Sequence, residues 1–329
     1  MVCARRDSFA VPRIRSAGLQ ACLARLGRSV ATIAISLLVL SVTAARKGDT
    51  HAFAQDGRRG TAAAAVPSRI VSLVPAATEM LFAIGAGPQV VGVGSYDMYP
   101  PETAKLPKVG ALLDPDVERI LSLRPDLVVI FSTQTDLARQ FGRAGIAVFE
   151  YHQAGLDDVM RTIRDLGSRT GHDVDARAVV ARMDAGLESI RRAVAGRPRP
   201  KTLLVFGRER LALRGIFASG GVGFMHDMLT VAGGDDVFAD VQQQSVQAST
   251  ETIIARRPDV IIEVRAADTP MAHGAVDAEI RTWSILASVP AVRNKQVYFL
   301  IDDRLVIPGP RIVDGTRLLA EVLHPGASR

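Results

Sequence analysis

The stretch Glu118-Arg-Ile-Leu-Ser-Leu-Arg-Pro-Asp-Leu-Val-Val-Ile130 has a counterpart in Glu251-Thr-Ile-Ile-Ala-Arg-Arg-Pro-Asp-Val-Ile-Ile-Glu263. The opening Glu, the Ile two positions later, the Arg-Pro-Asp and the apolar run that follows are all in register. A carboxylate favours a helix N-terminus, and the residue before a proline is driven out of helical conformation. Each copy therefore predicts a short helix, a stop and a buried strand, and the repeat predicts two lobes of one construction.

Short apolar strands alternate with helical stretches on both sides of each copy. We expect strands at 70–74, 90–93, 127–131 and 147–151, helices at 117–123, 136–144 and 156–168, and a restart of the same alternation at 202–206. Such alternation is typical of α/β layers around a mainly parallel sheet.

One long amphipathic helix is predicted between the two lobes, from Asp173 to Ala195. Its apolar residues recur at helical spacing, and Gly196-Arg-Pro-Arg-Pro200 ends it. At ~1.5 Å per residue the helix would be roughly 34 Å long, enough to bridge two lobes. We therefore predict an N-terminal α/β lobe at 67–170, a bridging helix at 171–197 and a C-terminal α/β lobe at 198–329.

The net charge of +6 over 329 residues is concentrated at the N-terminus. Residues 1–54 contain eight basic and two acidic side chains and carry this whole excess, so the rest of the chain is balanced. A balanced remainder with 5% aromatic residues lacks the electrostatic footprint of a nucleic-acid binder. We expect no nucleic-acid partner.

The same N-terminal segment resembles an export signal. Arg25 and Arg28 precede an apolar run at 30–42, which is shorter than the about 20 residues that a membrane helix needs. We predict that residues 1–54 are a signal peptide and leader, cut after Ala44 or, preferably, after Ala54. An uncleaved anchor is the alternative, and the Arg5-Arg6 pair fits a twin-arginine signal poorly.

Both cysteines, Cys3 and Cys22, precede the apolar run. A bacterial lipoprotein needs a cysteine just after that run, so the sequence predicts a periplasmic protein that is not a lipoprotein. The mature chain would then contain neither disulfides nor thiolate-bound metal.

Catalytic and cofactor motifs are missing from the sequence. There is no Gly-x-Ser-x-Gly, no Gly-Lys-Ser/Thr phosphate loop and no His-Glu-x-x-His, and the histidines after residue 55 are scattered singly. We therefore expect no catalytic residue, no metal site and no cofactor.

Several segments, in order, resemble one family. They are Ile70-Val-Ser-Leu-Val-Pro-Ala-Ala-Thr-Glu79, Val91-Gly-Val-Gly-Ser-Tyr-Asp-Met-Tyr-Pro-Pro101, Leu106-Pro-Lys-Val-Gly110, the Arg-Pro-Asp element, Trp283 to Tyr298 and Pro308-Gly-Pro-Arg311. Over residues 67 to 326 the chain resembles the periplasmic solute-binding proteins of ABC importers for cobalamin and ferric siderophores. The resemblance implies the class III architecture: two Rossmann-like lobes with mostly parallel central sheets, joined by one long rigid helix, and a bulky metal chelate bound between them.

The resemblance also implies a partner, an inner-membrane ABC permease dimer with its ATPase subunits. In the family one surface glutamate on each lobe pairs with permease arginines, and Glu118 and Glu251 occupy these places. The alternative is that both are ordinary carboxylates at helix starts, worth about 0.3 to 1 kcal/mol each.

The ligand-binding positions of the family match unevenly. Leu112, Ser245 and Ile307 replace two Trp and an Arg of the cobalamin-binding member, which argues against cobalamin itself. Arg208 and Arg304, with Arg210 and Arg214 as weaker candidates, would suit an anionic siderophore or a haem propionate. The ligand-binding set implied by the resemblance is Pro75, Ala76, Ala77, Tyr96, Phe131, Arg208, Phe217, Asp303 and Arg304.

The sequence thus predicts an exported, monomeric, non-catalytic protein that captures a corrinoid or ferric siderophore and delivers it to a permease. The alternatives are a haem- or metal-ion-binding protein of the same transporter class, a two-lobed α/β enzyme such as a chelatase or hydrolase, and a membrane-tethered sensor if the leader is retained.

Overall fold

The structure, a computed structural model, describes residues 65–267 and 274–326 of the 329-residue chain. The predicted leader at 1–54 and both possible cleavage sites lie outside the described residues. No helix within the described ranges has the length and apolar character needed to cross a membrane.

The first lobe is built on a four-stranded sheet in which every strand is parallel to its neighbours. The strand order is β2-β1-β3-β4, and the strands are β1 (Ile70–Ser72), β2 (Val90–Val93), β3 (Leu127–Phe131) and β4 (Ala147–Tyr151). The helices of this lobe are α1 (Pro75–Ala83), α2 (Val117–Ser122), α3 (Thr135–Arg143) and α4 (Leu156–Thr170). The short segments Gly87–Gln89 and Pro101–Lys105 are 3-10 helices.

The second lobe contains a six-stranded mixed sheet in the order β10-β9-β5-β6-β8, with β7 also paired to β5. Its strands are β5 (Lys201–Gly207), β6 (Ile216–Ser219), β7 (Asp235–Asp236), β8 (Ser245–Ala248), β9 (Val260–Arg265) and β10 (Val297–Ile301). Its helices are α6 (Phe224–Val231), α7 (Thr250–Arg256), α8 (Ala275–Thr282), α9 (Pro290–Arg293) and α10 (Ile312–Leu323). Two 3-10 segments, Trp283–Leu286 and Asp303–Leu305, complete it.

Two strands of this second sheet run antiparallel to their neighbours, unlike the mainly parallel pattern expected. Strand β6 follows β5 after a connection of only eight residues, 208–215, and pairs with it antiparallel. A parallel neighbour requires a crossover of a dozen or more residues, so this short connection allows only the hairpin arrangement.

Helix α5 (Asp173–Val194) connects the lobes and packs on both. Near its start, Ala176 lies against Gly167 of α4, and Gly186 further along lies against Val313 of α10. A side chain at Gly186 would place its Cβ 2.6 Å from Val313 Cγ1, so only glycine allows this approach of α5 to α10. The predicted α/β fold with two sheet lobes and one connecting helix is confirmed.

The two Arg-Pro-Asp copies have the same local geometry. Arg124 and Arg257 both adopt left-handed backbone conformation, with φ of 48° and 52°. In each copy the aspartate after the proline accepts a hydrogen bond at the start of the neighbouring strand of the sheet. Asp126 accepts from the Arg69 N–H, just before β1 (2.9 Å), and Asp259 accepts from the Lys201 N–H at the start of β5 (3.1 Å). The repeat is therefore a device that ends a helix and fixes the start of the adjacent strand.

Candidate functional site

A cavity of about 510 Å³ lies between the lobes, at the carboxyl edge of the second sheet. Gln153, which follows β4, contributes the first-lobe wall. Ligands of open α/β sheets bind at the carboxyl ends of strands, so this is where a ligand is expected. The principal second-lobe wall residues are Phe206, Phe224, Met225, Ser245, Arg265 and Val306.

The aromatic residues predicted to bind ligand differ in accessibility. Tyr96 follows β2 and is 62% exposed, and Phe217 on β6 is 42% exposed. Phe131 at the end of β3 is half-buried and packs edge-to-face on Tyr151, with ring centroids 5.7 Å apart. Tyr96 and Phe217 are therefore accessible and Phe131 is partly enclosed, but none of the three is among the described residues that line the cavity.

The predicted loop Pro75, Ala76 and Ala77 forms the first turn of α1. Ala76 and Ala77 are buried in the main core, and Pro75 is half-buried. Only Pro75 retains appreciable accessible surface.

Arg208 does not line the cavity, although the sequence analysis placed it among the ligand-binding residues. Its side chain has no exposed surface, and its guanidinium binds Glu263 and Glu279 at 2.8 Å each. It also lies over the Trp283 ring, whose Nε1–H donates to Glu263. This placement argues against a ligand contact, because all of its charge is used inside the second lobe.

Asp303 and Arg304 lie in the segment after β10. Asp303 Oδ1 accepts from the backbone N–H of Ala267 (2.8 Å), and Arg304 pairs with Asp302 (2.6 Å). Arg304 holds the pKa of Asp302 below its usual value. No group of three or more His, Cys, Asp or Glu side chains in the described ranges is arranged to hold a metal ion.

Arg265, the last residue of β9, is a cavity residue that the sequence analysis missed. Its Nη2 donates to Glu263 Oε1 (2.5 Å), and its Nη1 donates to the Val264 carbonyl (3.1 Å). The signal was present in the sequence, because Glu263 and Arg265 are two apart on a strand and so lie on the same face.

A buried ion pair joins the lobes at a second position. Arg311, just before α10, donates to both carboxylate oxygens of Glu79 on α1, with its Nε 3.0 Å from Oε2. The Glu79 side chain is 2% exposed, and Arg311 also stacks on the Tyr99 ring at 3.8 Å. Gly309 packs against Glu79 so closely that an added Cβ would lie 2.7 Å from Oε2.

The lobes also meet beside the cavity, where Gln244 Nε2 donates to the Gln153 carbonyl (2.9 Å). Both residues line the cavity, and this hydrogen bond is solvent-exposed and neutral. A buried charge pair is far costlier to separate than an exposed neutral hydrogen bond. The contact at Glu79 and Arg311 is therefore the stronger of these two links.

Asp97 is a buried acid in the segment after β2, with 1% of its surface exposed. The nearby Thr78 hydroxyl donates to Ser72 and Val74 instead, so neither Asp97 carboxylate oxygen has a hydrogen-bond partner in the described part of the chain. Burial raises the pKa of Asp97 to about 6, against the opposing influence of Thr78 and Lys108.

Glu118 and Glu251 occupy matching places in the two copies of the repeat. Each is the second residue of its helix, α2 or α7, and each is exposed. One helical turn later, each copy presents a partly exposed aliphatic residue: Leu121 is 39% exposed and Ile254 is 41% exposed. Each lobe thus carries the same small acidic and apolar surface.

Two α/β lobes, a helix that connects them and a cavity between them define a two-lobed α/β binding protein. Residues 70–303 match the model of the periplasmic binding protein family. The chain belongs to this family, and the resemblance inferred from the sequence is confirmed.

Two relatives in sequence support the assignment. An uncharacterised ABC transporter substrate-binding lipoprotein from Bacillus subtilis (strain 168) is 32% identical over 267 residues, covering 79% of this chain and 81% of its own. The vitamin B12-binding protein of Salmonella typhimurium is 30% identical over 257 residues, which cover 78% of this chain and 90% of that protein. The Bacillus relative is by its name a substrate-binding component of an ABC transporter, and ABC permease and ATPase subunits are the partners that such a component implies.

Among solved structures, the periplasmic haem-binding protein RhuT from Roseiflexus sp. RS-1 superposes with a TM-score of 0.67 at 29% identity. The superposition covers 79% of this chain and 99% of that protein. The haem-binding alternative thus has a structural counterpart.

The localisation predicted from the sequence is wrong. The Bacillus relative is named a lipoprotein, and this finding contradicts the expectation of a periplasmic protein that is not a lipoprotein. That expectation depended on the order of Cys3, Cys22 and the apolar run, all of which lie outside the described residues.

Proposed function

We propose that this protein is the substrate-binding component of an ABC transporter and that its ligand is a metal chelate: a corrinoid, haem or a ferric siderophore. The observation that carries the proposal is the cavity of about 510 Å³ between the lobes, at the carboxyl edge of the second sheet, in a member of this family. Its volume lies within the range of small-molecule sites, about 300 to 1,000 Å³.

The cavity wall is suited to a large ligand with an apolar body. Phe206, Phe224, Met225 and Val306 supply apolar surface, whereas few polar groups are available to orient the ligand. Apolar walls with a few placed polar groups are the usual composition of such sites. Tyr96 and Phe217, both accessible, would offer aromatic surface to a ligand that extends beyond the cavity.

Haem is a specific candidate beside the corrinoids. The Roseiflexus haem-binding protein is similar in both fold and sequence, at 29% identity. Ser245 lies in the cavity wall where the cobalamin-binding pattern has a Trp, and Leu112 and Ile307 pack against the main core. A site with fewer aromatic residues at these places favours a ligand other than cobalamin itself.

In this proposal the chelate is cargo, and the protein itself needs no cofactor and no catalytic residue. It works as a monomer and passes its ligand to a permease dimer, whose ATPase subunits hydrolyse ATP. An enzyme on this frame would need an acid, base or nucleophile directed at the ligand.

Titration of the purified full chain with cyanocobalamin, cobinamide, haem and several ferric siderophores tests the ligand class. Calorimetry measures binding, and fluorescence of the single tryptophan, Trp283, provides a second signal. Trp283 is buried and bonded to Glu263, which in turn binds Arg265 of the cavity wall. We expect micromolar or tighter binding of at least one chelate; no binding to any of them would rule out the proposed function.

Permease docking is assigned to Glu118 and Glu251. Helices α2 and α7 each end where a parallel strand begins, so their first turns are directed back toward the carboxyl edge. The two glutamates, with Leu121 and Ile254, would then flank the cleft and meet basic permease surfaces in a two-fold arrangement.

The Glu118→Ala, Glu251→Ala double variant should abolish chelate uptake in cells that express the cognate permease, while ligand affinity of the purified protein is unchanged. Glu102→Ala serves as a control, since it removes an exposed first-lobe glutamate away from both copies of the repeat. Normal uptake by the double variant would contradict the docking role.

A further inference from the structure

Helix α4 of the first lobe begins without a side-chain cap of its own. Its N-cap residue is Gly155, which has no side chain, and the amides at a helix start have no acceptor within the helix. The acceptor for the first of these amides comes from the second lobe, because Asp227 Oδ2 on α6 accepts from the Leu156 N–H at 2.8 Å. One carboxylate of the second lobe therefore caps a helix of the first.

The same carboxylate belongs to the first turn of its own helix, α6. An anion is stabilised at the N-terminus of a helix, and here the starts of two helices, one from each lobe, meet at the side chain of Asp227. The contact is therefore favoured by both helices, and it holds their N-terminal ends together across the boundary between the lobes.

The two lobes approach each other most closely here at Gly155. A Cβ at this position would lie 2.5 Å from Asp227 Oδ2, far inside van der Waals contact. The φ of Gly155 is −81°, a value open to every L-amino acid, so the backbone conformation does not require glycine. It is the carboxylate of the other lobe that excludes a side chain from this position.

The contact lies close to the ligand cavity along both chains. Gln153, the first-lobe wall residue, is three positions before Leu156, and the wall residues Phe224 and Met225 are three and two positions before Asp227. A second cavity of about 530 Å³, lined by Leu156 and Asp227 themselves, adjoins the contact. A shift of α6 relative to α4 at this contact would therefore change the spacing of the walls of the ligand cavity.

The neighbouring link between the lobes is weaker. Gln244 Nε2 donates to the Gln153 carbonyl at 2.9 Å, and this hydrogen bond is exposed and neutral. A hydrogen bond to a charged group is about twice as strong as a neutral one. Beside the cavity, Asp227 thus supplies the stronger of the two polar links.

We propose that Asp227 is a positioning residue that fixes the spacing of the two cavity walls and so holds the cavity ready for its ligand. This inference rests on the proposed function, because it concerns the cavity assigned to the ligand. Asp227 is not a wall residue of this cavity, and it acts through α4 and α6. A site that is already held in its bound geometry loses less free energy to ordering and binds more tightly.

Four variants of the full chain separate this role from a purely structural one. Asp227→Ala removes the acceptor, and Asp227→Asn keeps an oxygen that accepts from the Leu156 N–H. Gly155→Ala adds the Cβ that displaces the carboxylate. Asp157→Ala is the matched control, because it removes an exposed carboxylate from the same first turn of α4. Circular dichroism identifies which variants fold, and Gly155→Ala provides the comparison if Asp227→Ala does not.

The first measurement is the affinity for haem and for cyanocobalamin, determined by calorimetry. We expect Asp227→Ala and Gly155→Ala to weaken binding by about tenfold, Asp227→Asn to weaken it less, and Asp157→Ala to leave it unchanged. A cap with only a structural role would lower the stability of the protein but not the affinity of the folded molecules. Unchanged affinity in Asp227→Ala would therefore overturn the proposal.

The double variant Asp227→Ala, Gly155→Ala isolates the contact itself. Once the carboxylate is removed, the added methyl group has no oxygen of Asp227 to displace. Gly155→Ala should then cost no further affinity in the Asp227→Ala background. Additive losses would show that the two residues act separately and would contradict the proposed contact.

The second measurement needs no ligand. Spin labels are attached at Arg143→Cys on α3 and at Arg293→Cys on α9, in a chain whose Cys3 and Cys22 are replaced by serine. Pulsed electron paramagnetic resonance then records the distribution of distances between the lobes. We expect this distribution to be broader or shifted in Asp227→Ala and Gly155→Ala, and to match wild-type protein in Asp157→Ala.

The two measurements together distinguish failure of the positioning role from failure of the proposed function. If no chelate binds while the distance distributions differ as expected, the proposed function fails and the positioning of the lobes by Asp227 stands. If the distributions of all variants are alike, the positioning role fails whether or not a chelate binds.

Discussion

The two lobes neutralise their buried acids in different ways. In the second lobe, Glu263 and Glu279 are both paired with Arg208 of the same lobe. In the first lobe, Asp97 has no hydrogen-bond partner among the described residues, and Glu79 is paired with Arg311 of the other lobe. The buried glutamates of the second lobe are paired within that lobe, whereas the first lobe pairs Glu79 with the other lobe and leaves Asp97 without a partner among the described residues.

This difference follows from where the acids lie. Glu263 is within a central strand, β9, whose neighbours β5 and β10 belong to the same sheet, so its partners are local. Glu79 lies on α1, where the first lobe meets the second, and Asp97 is buried within the segment after β2. The pairing of Glu79 therefore links the first lobe to the second, and the burial of Asp97 makes stability depend on pH, whereas the paired glutamates of the second lobe stabilise that lobe itself.

The largest expected effect is the loss of Arg208. Arg208→Gln leaves two carboxylates buried without their cation, and we expect the free energy of unfolding to fall by about 3 to 5 kcal/mol. Arg69→Gln is the control in the first lobe, because Arg69 is exposed and donates to the Leu123 and Arg124 carbonyls; about 1 kcal/mol is expected there. Urea unfolding measures both, and equal losses would contradict the comparison.

Replacement of the unpaired acid should stabilise the protein. The pKa of Asp97 is about 6 in the folded state against an ordinary value of 3.8, so the folded protein binds this proton more tightly than the unfolded chain. Protonation of Asp97 therefore stabilises the folded state. This stabilisation is complete below about pH 4 and is lost as the pH rises through about 6. At pH 7.5 Asp97→Asn should therefore be more stable than wild-type protein by up to about 3 kcal/mol, from 1.36 kcal/mol per unit of pKa.

Thermal or urea unfolding at pH 4 and pH 7.5 provides the measurement for Asp97→Asn. The advantage of the variant should shrink markedly at the lower pH, where wild-type Asp97 is itself protonated. Asp116→Asn, at the exposed start of α2, is the control, since its carboxylate is accessible and caps the helix. An Asp97→Asn advantage that is the same at both pH values would show that packing, rather than ionisation, is responsible.

The link between the lobes should show a smaller effect, because Arg311 is 21% exposed and solvent offsets part of the loss. We expect Arg311→Gln to cost about 2 to 3 kcal/mol and Gln244→Ala, at the exposed contact with Gln153, less than about 1 kcal/mol. A double-mutant cycle of Glu79→Gln with Arg311→Gln measures the coupling directly. Additive losses in that cycle would mean that the two side chains do not stabilise each other.

Much of the fold could be predicted from the sequence. The strands at 127–131 and 147–151 have the predicted bounds, and the long helix runs to Val194 instead of Ala195. These elements are set by local hydrophobic periodicity and by Gly and Pro stops. Strand β6, with the antiparallel pairing that it makes, was missed because four residues after a turn carry too little periodicity to identify.

The candidate site was less predictable. Tyr96 and Phe217 are accessible but do not line the cavity as described, Arg208 is enclosed by two glutamates, and Arg265 faces the cavity instead. Arg208 directly follows β5 and Arg265 ends β9, so the sequence places both arginines at the carboxyl end of a strand inside the second sheet. Which of them becomes buried depends on α8, whose Glu279 approaches Arg208 from 71 residues away.

The sequence by itself determined the family, the two-lobed α/β plan and the repeated Arg-Pro-Asp device, because these depend on periodicity, turn chemistry and short-range capping. The tertiary structure alone decided which charges are paired and which face the cavity. Glu79 and Arg311 are 232 residues apart, and no local pattern couples them. A buried charge acquires its partner only when separate elements pack, so the electrostatics of the site follow from the fold as a whole.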